Sequence, residues 1–310
     1  MRYKRQTAVI GAGLMGHGIA LTLARAGQYV AITDPSAEAR VTVAERIRQS
    51  MIAMGIEDRE IVKALKMIEI HGTTAGAVKN AEVVFEAAPE KMDLKQKIFA
   101  EIEAHAPETA TFASNTSVMP ITDIMGGLRL KDRAVGTHWW NPPHMIPLVE
   151  VVKTKWTSPD VAADMMELLQ GAGKTPVLVE KDVPGFIGNR LQHALWREAI
   201  SLVENGICDA EAVDTVIKAS FGRRLAVLGP LENADLVGTD LTLDIHDNVL
   251  ADLETRRGPS PYLQKLVEEG RLGMKTGQGF RTWSAEEMDE VRAKVAQHLT
   301  RLESILPTKI

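Results

Sequence analysis

The stretch TAVIGAGLMGHGIALTLARAGQYVAITD, residues 7–34, carries the pattern that decides the fold. It begins with a short β-branched run that ends in glycine. A mostly apolar helix is predicted over 14–27, with Gly27 as its stop, and a second strand over 29–34. A strand, a glycine-rich turn, a helix and a second strand in this order indicate a βαβ unit with parallel strands.

The glycines of GAGLMG match the pattern G-x-G-x-x-G, with Gly11, Gly13 and Gly16. Gly11 allows a tight turn, Gly13 lets a pyrophosphate approach the backbone, and Gly16 lets the helix pack closely on the strand. The helix N-terminus adds unpaired N–H groups and a positive dipole for the phosphates. Six residues are a weak signal alone, but the strand before them and the helix after them give the required context. We therefore predict a dinucleotide site that also includes Leu14 and Met15.

Asp34 ends the second strand, at the separation of about 20 residues from the glycines that dinucleotide sites show. A carboxylate there accepts hydrogen bonds from the ribose hydroxyls of adenosine and repels a 2′-phosphate, and no arginine directly follows it. NAD is therefore the predicted cofactor, in preference to NADP. The alternative is a structural glycine turn followed by an ordinary surface aspartate.

Strands and helices are predicted to alternate up to about residue 180. The further strands are expected at 67–70, 82–87, 109–114, 133–140, 148–153 and 175–180. Apolar strands separated by amphipathic helices are typical of a mostly parallel, doubly wound, Rossmann-like α/β sheet that is covered on both faces. After KDVPGF the strand signal disappears, and helices are predicted over 189–206, 209–221, 231–254, 260–270 and 285–306. We expect an NAD-binding domain over 1–183 and a helical domain over 184–310.

The composition restricts the classes of function. The 310 residues are 45% hydrophobic and 25% charged, which suits an ordinary protein of two domains. The net charge is −5 and no basic block is present, which argues against nucleic acid as a partner. The single cysteine, Cys208, excludes an internal disulfide and a cysteine-based zinc site, and no metal site is expected. No apolar leader or membrane span is recognised, so we expect a cytoplasmic protein.

Chemistry is predicted in GTHWWNPPHMIPLVEVV, residues 136–152. If the two strands in this stretch are antiparallel neighbours, a pairing centred on His144 sets His138 directly opposite Glu150. Oxidation of an alcohol by NAD needs a base for the hydroxyl proton, and a carboxylate on one ring nitrogen holds a histidine base in the required tautomer. His144 has no acid at a comparable register. The alternative is a satisfied core histidine and an unrelated acid on an edge strand.

Three further segments extend the pattern: SNTSVMPIT (114–122), DVPGFIGNR (182–190) and GRLGMKTGQGF (270–280). Together with the glycine loop and the histidine stretch, they resemble the 3-hydroxyacyl-CoA dehydrogenase family, up to about residue 281. The resemblance implies that His138 and Glu150 are the catalytic base and its acid partner. It also implies that Ser117 and Asn189 contact the substrate oxygen in a cleft between the domains, and that a homodimer forms through the C-terminal domain.

The same matching implies cofactor contacts outside the glycine loop. These are assigned to Glu90, Lys95, Asn115, Ser117, Asn141 and Lys275. Other interpretations remain open for two of the implied site residues. Ser117 could cap a helix, since a Ser/Thr-rich loop before a helix often does so, and Asn189 could form a linker hydrogen bond.

The substrate stays open between two classes. The family oxidises 3-hydroxyacyl-CoA thioesters to 3-oxo compounds, but it also has relatives that act on small free hydroxy compounds such as carnitine, gulonate and a pyridine carboxylate. The thioester enzymes usually follow the catalytic histidine with two phenylalanines. Here Trp139 and Trp140 follow it, which favours a free compound and makes Trp139 a candidate substrate contact. In contrast, GRLGMKTGQGF resembles the hydroxybutyryl-CoA enzymes.

Other functions are also considered. A crystallin-like protein would bind NAD without appreciable turnover, although the intact set of Ser117, His138, Glu150 and Asn189 argues against it. A second hydroxyacid dehydrogenase type would use a catalytic lysine in the second domain.

The charges over 36–66 also bear on the substrate. They are mixed in sign, so they do not form the basic patch that a CoA 3′-phosphate would favour.

Overall fold

A computed structural model describes residues 4–306 of the protein, so the outermost residues of the two expected domains lie outside the described part. The chain divides into two compact units. One contains the residues up to Arg190 together with those from Ala296 onward, and the other is Leu191–Val295. Within the described residues, no helix is long and apolar enough to cross a membrane.

The first unit is built on an eight-stranded sheet with the order β3-β2-β1-β4-β5-β6-β7-β8. The strands are β1 (Gln6–Ile10), β2 (Tyr29–Thr33), β3 (Ile68–Ile70), β4 (Val83–Glu86), β5 (Thr111–Ser114), β6 (Ala134–Trp139), β7 (Leu148–Lys153) and β8 (Thr175–Val179). Neighbouring strands are parallel except at β6 and β7, which are antiparallel. The mostly parallel, Rossmann-like sheet predicted from the sequence is confirmed.

Helices cover both faces of this sheet. They are α1 (Leu14–Arg25), α2 (Ala37–Ala53), α3 (Asp58–Leu65), α4 (Thr74–Val78), α5 (Met92–His105), α6 (Ile121–Met125) and α7 (Pro159–Gly171). Successive residues of a strand point to opposite faces. Accordingly, Val9 and Phe85 join the core under α1, α2, α3 and α7, while Ala8 and Val84 join the core under α4, α5 and α6.

The remaining elements are helices. They are α8 (Gly188–Glu204), α9 (Ala210–Ala219), α10 (Pro230–Val237), α11 (Thr239–Val249), α12 (Pro261–Glu268) and α13 (Ala285–Ile305). The expectation of one continuous helix over 231–254 is wrong, because the helix is interrupted at Gly238. This residue has a φ of 102°, a conformation that glycine adopts readily and that ends α10.

Candidate active site

The antiparallel pairing of β6 and β7 brings the predicted acid and base together. His138 pairs with Glu150 in the register, as the sequence predicts. The His138 Nδ1 and Glu150 Oε2 atoms are 2.7 Å apart. Both residues are buried, with exposed fractions of 3% and 1%. A charge-assisted hydrogen bond in such a dry environment is stronger than one at the surface and fixes the orientation of the ring.

The second carboxylate oxygen of Glu150 is also engaged. Its Oε1 atom accepts hydrogen bonds from the backbone N–H groups of Ile187 and Gly188, at 2.8 and 3.0 Å. Burial raises the pKa of the Glu150 carboxyl, but the hydrogen bonds from His138, Gly188 and Ile187 outweigh burial, so the pKa lies below its ordinary value. Glu150 is therefore an ionised acceptor at neutral pH.

Two aromatic rings contact His138. The ring centroid of Trp140 lies 5.1 Å from that of His138, and the centroid of Phe186 lies 5.6 Å from it. The structure does not bring Trp139 to this site, which corrects the expectation from the sequence. Trp139 is next to His138 in β6 and therefore points to the opposite face, where its ring packs on Phe85 in the core.

The glycine loop between β1 and α1 has the shape of a dinucleotide cradle. Gly11 has a φ of 105°, and a Cβ atom at Gly16 would lie 1.8 Å from the carbonyl oxygen of Gly11. A Cβ atom at Gly13 would meet nothing within 4 Å, so this position faces open space at the N-terminus of α1. The loop, with Leu14 and Met15 in the first helical turn, therefore fits a bound pyrophosphate.

Asp34 lies directly after β2, beside this loop. Its carboxylate accepts hydrogen bonds from the backbone N–H groups of Ala12 and Ser36, both at 2.8 Å. Arg40 reaches the same strand end from α2, where its Nη1 atom donates to the carbonyl oxygen of Asp34 at 2.5 Å. The carboxylate is thus fixed beside the glycine loop, the position from which a ribose is bound.

A buried ionic network joins the ends of β4 and β5. Lys95 donates from Nζ to Glu86 Oε1 at 2.7 Å, and Ser114 donates from Oγ to Glu86 Oε2 at the same distance. Glu90 Oε2 lies 3.5 Å from the Lys95 ammonium. Glu86 was missed at the sequence level, although a carboxylate at the end of an apolar strand is an available signal. Lys95, a predicted cofactor contact, is enclosed by these partners.

The loop after β5 is held from both sides. The backbone N–H of Ser117 donates to Glu90 Oε1 at 2.5 Å, and Asn189 Nδ2 donates to the carbonyl oxygen of Ser117 at 2.8 Å. Asn115 accepts a hydrogen bond from the backbone N–H of Trp139 at 2.9 Å, so it joins β5 to β6. The structure thus brings Ser117, Asn189 and Glu90 together.

The two remaining predicted cofactor residues are exposed. Asn141 follows β6 directly, and Lys275 lies on the turn between α12 and α13, in the second unit. Their cofactor contacts stay predictions. The candidate site lies at one end of the sheet, where the carboxyl ends of the parallel strands β1, β4, β5 and β6 meet. Doubly wound folds bind their ligands at this end.

His144 lies in the connection from β6 to β7. Burial, together with the nearby His17, Lys174 and Arg25, lowers its pKa to about 4. Burial also lowers the pKa of His17, whose ring centroid is 5.8 Å from that of His144. Both rings are therefore neutral near pH 7, and neither has a carboxylate partner of the kind that His138 has.

Comparison with known proteins identifies relatives over most of the chain. The family model described as 3-hydroxyacyl-CoA dehydrogenase, NAD binding domain, matches residues 6–183, and the model of the C-terminal domain matches residues 185–283. The 5-formyl-3-hydroxy-2-methylpyridine 4-carboxylate 5-dehydrogenase of Mesorhizobium japonicum is 33% identical over 305 residues, which cover 97% of this chain and 98% of that protein. A probable 3-hydroxybutyryl-CoA dehydrogenase of Bacillus subtilis is 36% identical over 281 residues, which cover 89% and 96%.

A solved structure is similar over nearly the whole chain. It is the crystal structure of a 5-formyl-3-hydroxy-2-methylpyridine 4-carboxylic acid 5-dehydrogenase, described as an NAD+-dependent dismutase. The TM-score is 0.90 at 32% sequence identity, and the match covers 98% of this chain and 99% of the other.

Proposed function

Because this chain belongs to the 3-hydroxyacyl-CoA dehydrogenase family of NAD-dependent oxidoreductases that act on CH–OH groups, we propose that His138 is its catalytic base and Glu150 orients that base. The observation that carries the proposal is the 2.7 Å contact between His138 Nδ1 and Glu150 Oε2. A carboxylate on Nδ1 favours the tautomer in which Nε2 is free to accept a proton.

We assign the steps of the proposed reaction to these residues. When NAD is bound at the glycine loop and Asp34, it supplies the acceptor for the hydride. His138 takes the hydroxyl proton on Nε2 as the hydride leaves the adjacent carbon, so the alcohol becomes a carbonyl compound. Glu150 stabilises the imidazolium that results. Ser117 and Asn189 hold the substrate oxygen. Glu90, Lys95, Asn115, Asn141 and Lys275 are retained as proposed cofactor contacts.

For the substrate, we favour a small free hydroxy compound of the aromatic or heterocyclic type. The likeness to the pyridine carboxylate dehydrogenase supports this choice, since it extends over 97% of this chain. The indole ring of Trp140 beside His138 also supports it, because an aromatic side chain offers a planar substrate a surface for stacking.

A 3-hydroxyacyl-CoA or small 3-hydroxy acid is the second candidate substrate. The observation in its favour is the 36% identity to a probable 3-hydroxybutyryl-CoA dehydrogenase. The two candidates share the same catalytic pair and differ in what the site must accommodate beyond the reacting carbon.

A substrate panel separates the two candidates. The purified protein is incubated with NAD and with pyridine carboxylates that carry a hydroxymethyl or formyl group, carnitine, gulonate, free 3-hydroxy acids and 3-hydroxybutyryl-CoA, and NADH absorbance is followed. Highest kcat/KM on a free aromatic compound supports the first candidate, and highest kcat/KM on the thioester supports the second. Clear NAD binding without turnover of any compound would favour a crystallin-like role.

A pair of histidine variants tests the base. With the best substrate of the panel, His138→Gln should lower kcat by about 10²- to 10⁴-fold, the usual contribution of a general base. The matched control is His144→Gln, in the same stretch of chain, which should keep kcat at neutral pH. Retained activity in His138→Gln would instead favour the dehydrogenase type that uses a lysine.

We further propose that the protein forms a homodimer through its helical unit, whose exposed apolar side chains a second copy would cover.

We also propose a cytoplasmic location, since Cys208 has no cysteine in the chain with which to form a disulfide. Fractionation of source cells with an antibody against the protein tests the location, and recovery in an organelle fraction would contradict it.

A further inference from the structure

Two consecutive residues before α8 have left-handed backbone conformations. Gly185 has a φ of 75° and Phe186 a φ of 50°. Among the residues that the structure describes, Phe186 is the one non-glycine residue with a positive φ. A bulky side chain in this region is strained and persists only when its surroundings hold it there. Such strain is found preferentially at functional sites, so the contacts of this turn are informative.

The left-handed turn sets the direction of the next two backbone N–H groups. The N–H groups of Ile187 and Gly188 both donate to Glu150 Oε1. As a result, Oε1 is occupied by the turn and Oε2 remains for His138 Nδ1. The backbone conformation at Gly185 and Phe186 therefore places the two N–H groups that orient the Glu150 carboxylate, so that its other oxygen faces His138 Nδ1.

The side chain of Phe186 acts on the other member of the pair. Its exposed fraction is 1%, and its ring lies against the ring of His138, with an angle of 52° between the ring planes. Trp140 contacts the His138 ring as well, at an angle of 51°. With Nδ1 fixed by Glu150 and two aromatic rings packed on the imidazole, rotation of His138 is restricted.

The turn is anchored at both of its ends. Asp182 Oδ2 accepts a hydrogen bond from the backbone N–H of Thr122 at 2.6 Å, and Asn189 Nδ2 donates to the carbonyl oxygen of Ser117. Both partners belong to the segment that follows β5. These two hydrogen bonds hold the strained conformation in place. They also connect the turn to the loop after β5, which carries the proposed substrate contact Ser117.

We propose that Phe186 is a positioning residue for the proposed catalytic pair, acting on Glu150 through its left-handed backbone and on His138 through its ring. The inference rests on the proposed roles of His138 and Glu150. Phe186 itself does not touch the substrate in this proposal. Its effect is to hold His138 with a proton on Nδ1 and with Nε2 available as the base.

The tautomer of His138 tests this without any substrate. The protein is labelled with ¹⁵N-histidine, and the His138 ring signals are identified by their loss in His138→Gln. We expect the Nδ1–H tautomer in the wild type and a mixture with the Nε2–H tautomer in Phe186→Leu, which keeps an apolar side chain but removes the ring. The matched control is Phe99→Leu, at an equally buried phenylalanine of α5, which should keep the wild-type tautomer.

A second pair of variants addresses the backbone if Phe186→Leu does not fold. Gly185→Ala disfavours the left-handed conformation without removing the ring, whereas Gly185→Asn should restore much of the wild-type behaviour, because asparagine tolerates that conformation. A wild-type tautomer in Phe186→Leu, or in Gly185→Ala where Phe186→Leu does not fold, would overturn the proposal.

Activity gives an independent readout with the best substrate of the panel. Phe186→Leu should lower kcat at least about tenfold, as small misplacements of catalytic groups do, and should leave NAD affinity unchanged. If Phe186→Leu loses no more activity than Phe99→Leu, the residue only packs and the proposal fails. If instead His138→Gln remains active, the proposed base is wrong, which is a different result.

Discussion

At the scale of single residues, Glu150 combines two tasks in one carboxylate. One oxygen orients His138, and the other holds the start of α8 through two backbone N–H groups. These hydrogen bonds outweigh the burial that would otherwise raise the pKa of Glu150. The carboxylate therefore remains ionised in a buried position, which suits its proposed role of stabilising a transient imidazolium on His138.

Replacing Glu150 with glutamine is expected to lower kcat by about 10²- to 10⁴-fold, because an amide at this position cannot support the imidazolium and its NH₂ group favours the wrong tautomer. Steady-state kinetics with the best substrate of the panel measures the effect, and NAD affinity should be unchanged. Glu180→Gln is the control, since Glu180 pairs with Lys153 at the surface. Equal kcat values for Glu150→Gln and Glu180→Gln would contradict the assigned role.

His144 should make the fold sensitive to mild acid. Its pKa in the folded protein is about 4, below the value of about 6.5 for an unfolded chain, so the unfolded state binds the proton first. The free energy of unfolding should therefore fall as the pH drops from about 6.5 to 4. This contribution is at most about 1.4 kcal/mol per pH unit, and less for a half-buried ring that solvent screens.

Urea denaturation at pH 7, 6 and 5 measures this sensitivity, and His144→Gln should reduce the loss of stability. Glu150 does not disturb this measurement, because its pKa is lowered below the ordinary value and its contribution to stability is lost only under more acidic conditions than these. His17 remains in the variant, so part of the slope should persist. The same loss of stability in both proteins would show that His144 does not carry the effect.

At the scale of elements, the ends of β4 and β5 are joined by side chains as well as by the sheet. Glu86 in β4 is bonded to Lys95 in α5 and to Ser114 in β5, and all three are buried. A buried ion pair contributes little net stability, but removing one partner leaves an uncompensated charge in the interior. The network therefore holds the carboxyl ends of β4 and β5 together beside the candidate active site.

Lys95→Met should destabilise the protein by about 3–5 kcal/mol, because Glu86 would be left buried without its cation. Chemical denaturation measures the change, and Lys97→Met on the exposed face of the same helix is the control, expected within about 0.5 kcal/mol of the wild type. The double variant Glu86→Gln/Lys95→Met should recover part of the loss, since no unpaired charge remains. A double variant no more stable than Lys95→Met would contradict this explanation.

Elements with a strong local signal are the ones that the sequence predicts. The period of the strands, the glycine loop and the symmetry about His144 led to the sheet and to the His138–Glu150 register. The partner of Glu86 could not be predicted, because a contact with Lys95 depends on how α5 packs. Trp139 was misplaced although the alternation of strand side chains would have assigned it to the face opposite His138.

At the scale of the whole molecule, the two units bury their apolar side chains to different degrees. The first unit has an extensive core on both faces of the sheet. In Leu191–Val295, by contrast, Leu266 is the one large apolar side chain among those that are buried, while twenty are exposed. The sequence pattern predicts that this unit is helical, but it does not say what covers the apolar faces of its helices.

A second copy of the chain is the proposed cover, and the oligomeric state tests it. Light scattering at micromolar concentration should give about twice the chain mass of 33.9 kDa, and the thermal midpoint should rise with protein concentration. Leu236→Glu places a charge on an exposed apolar position of α10 and should shift the mass towards the monomer. Val41→Glu, at an equally exposed position of α2, should not. Because an isologous interface repeats each substitution in both partners, a single change introduces two charges into the contact. A wild-type mass of one chain would overturn the dimer, whereas a dimer that Leu236→Glu leaves intact would move the interface away from α10.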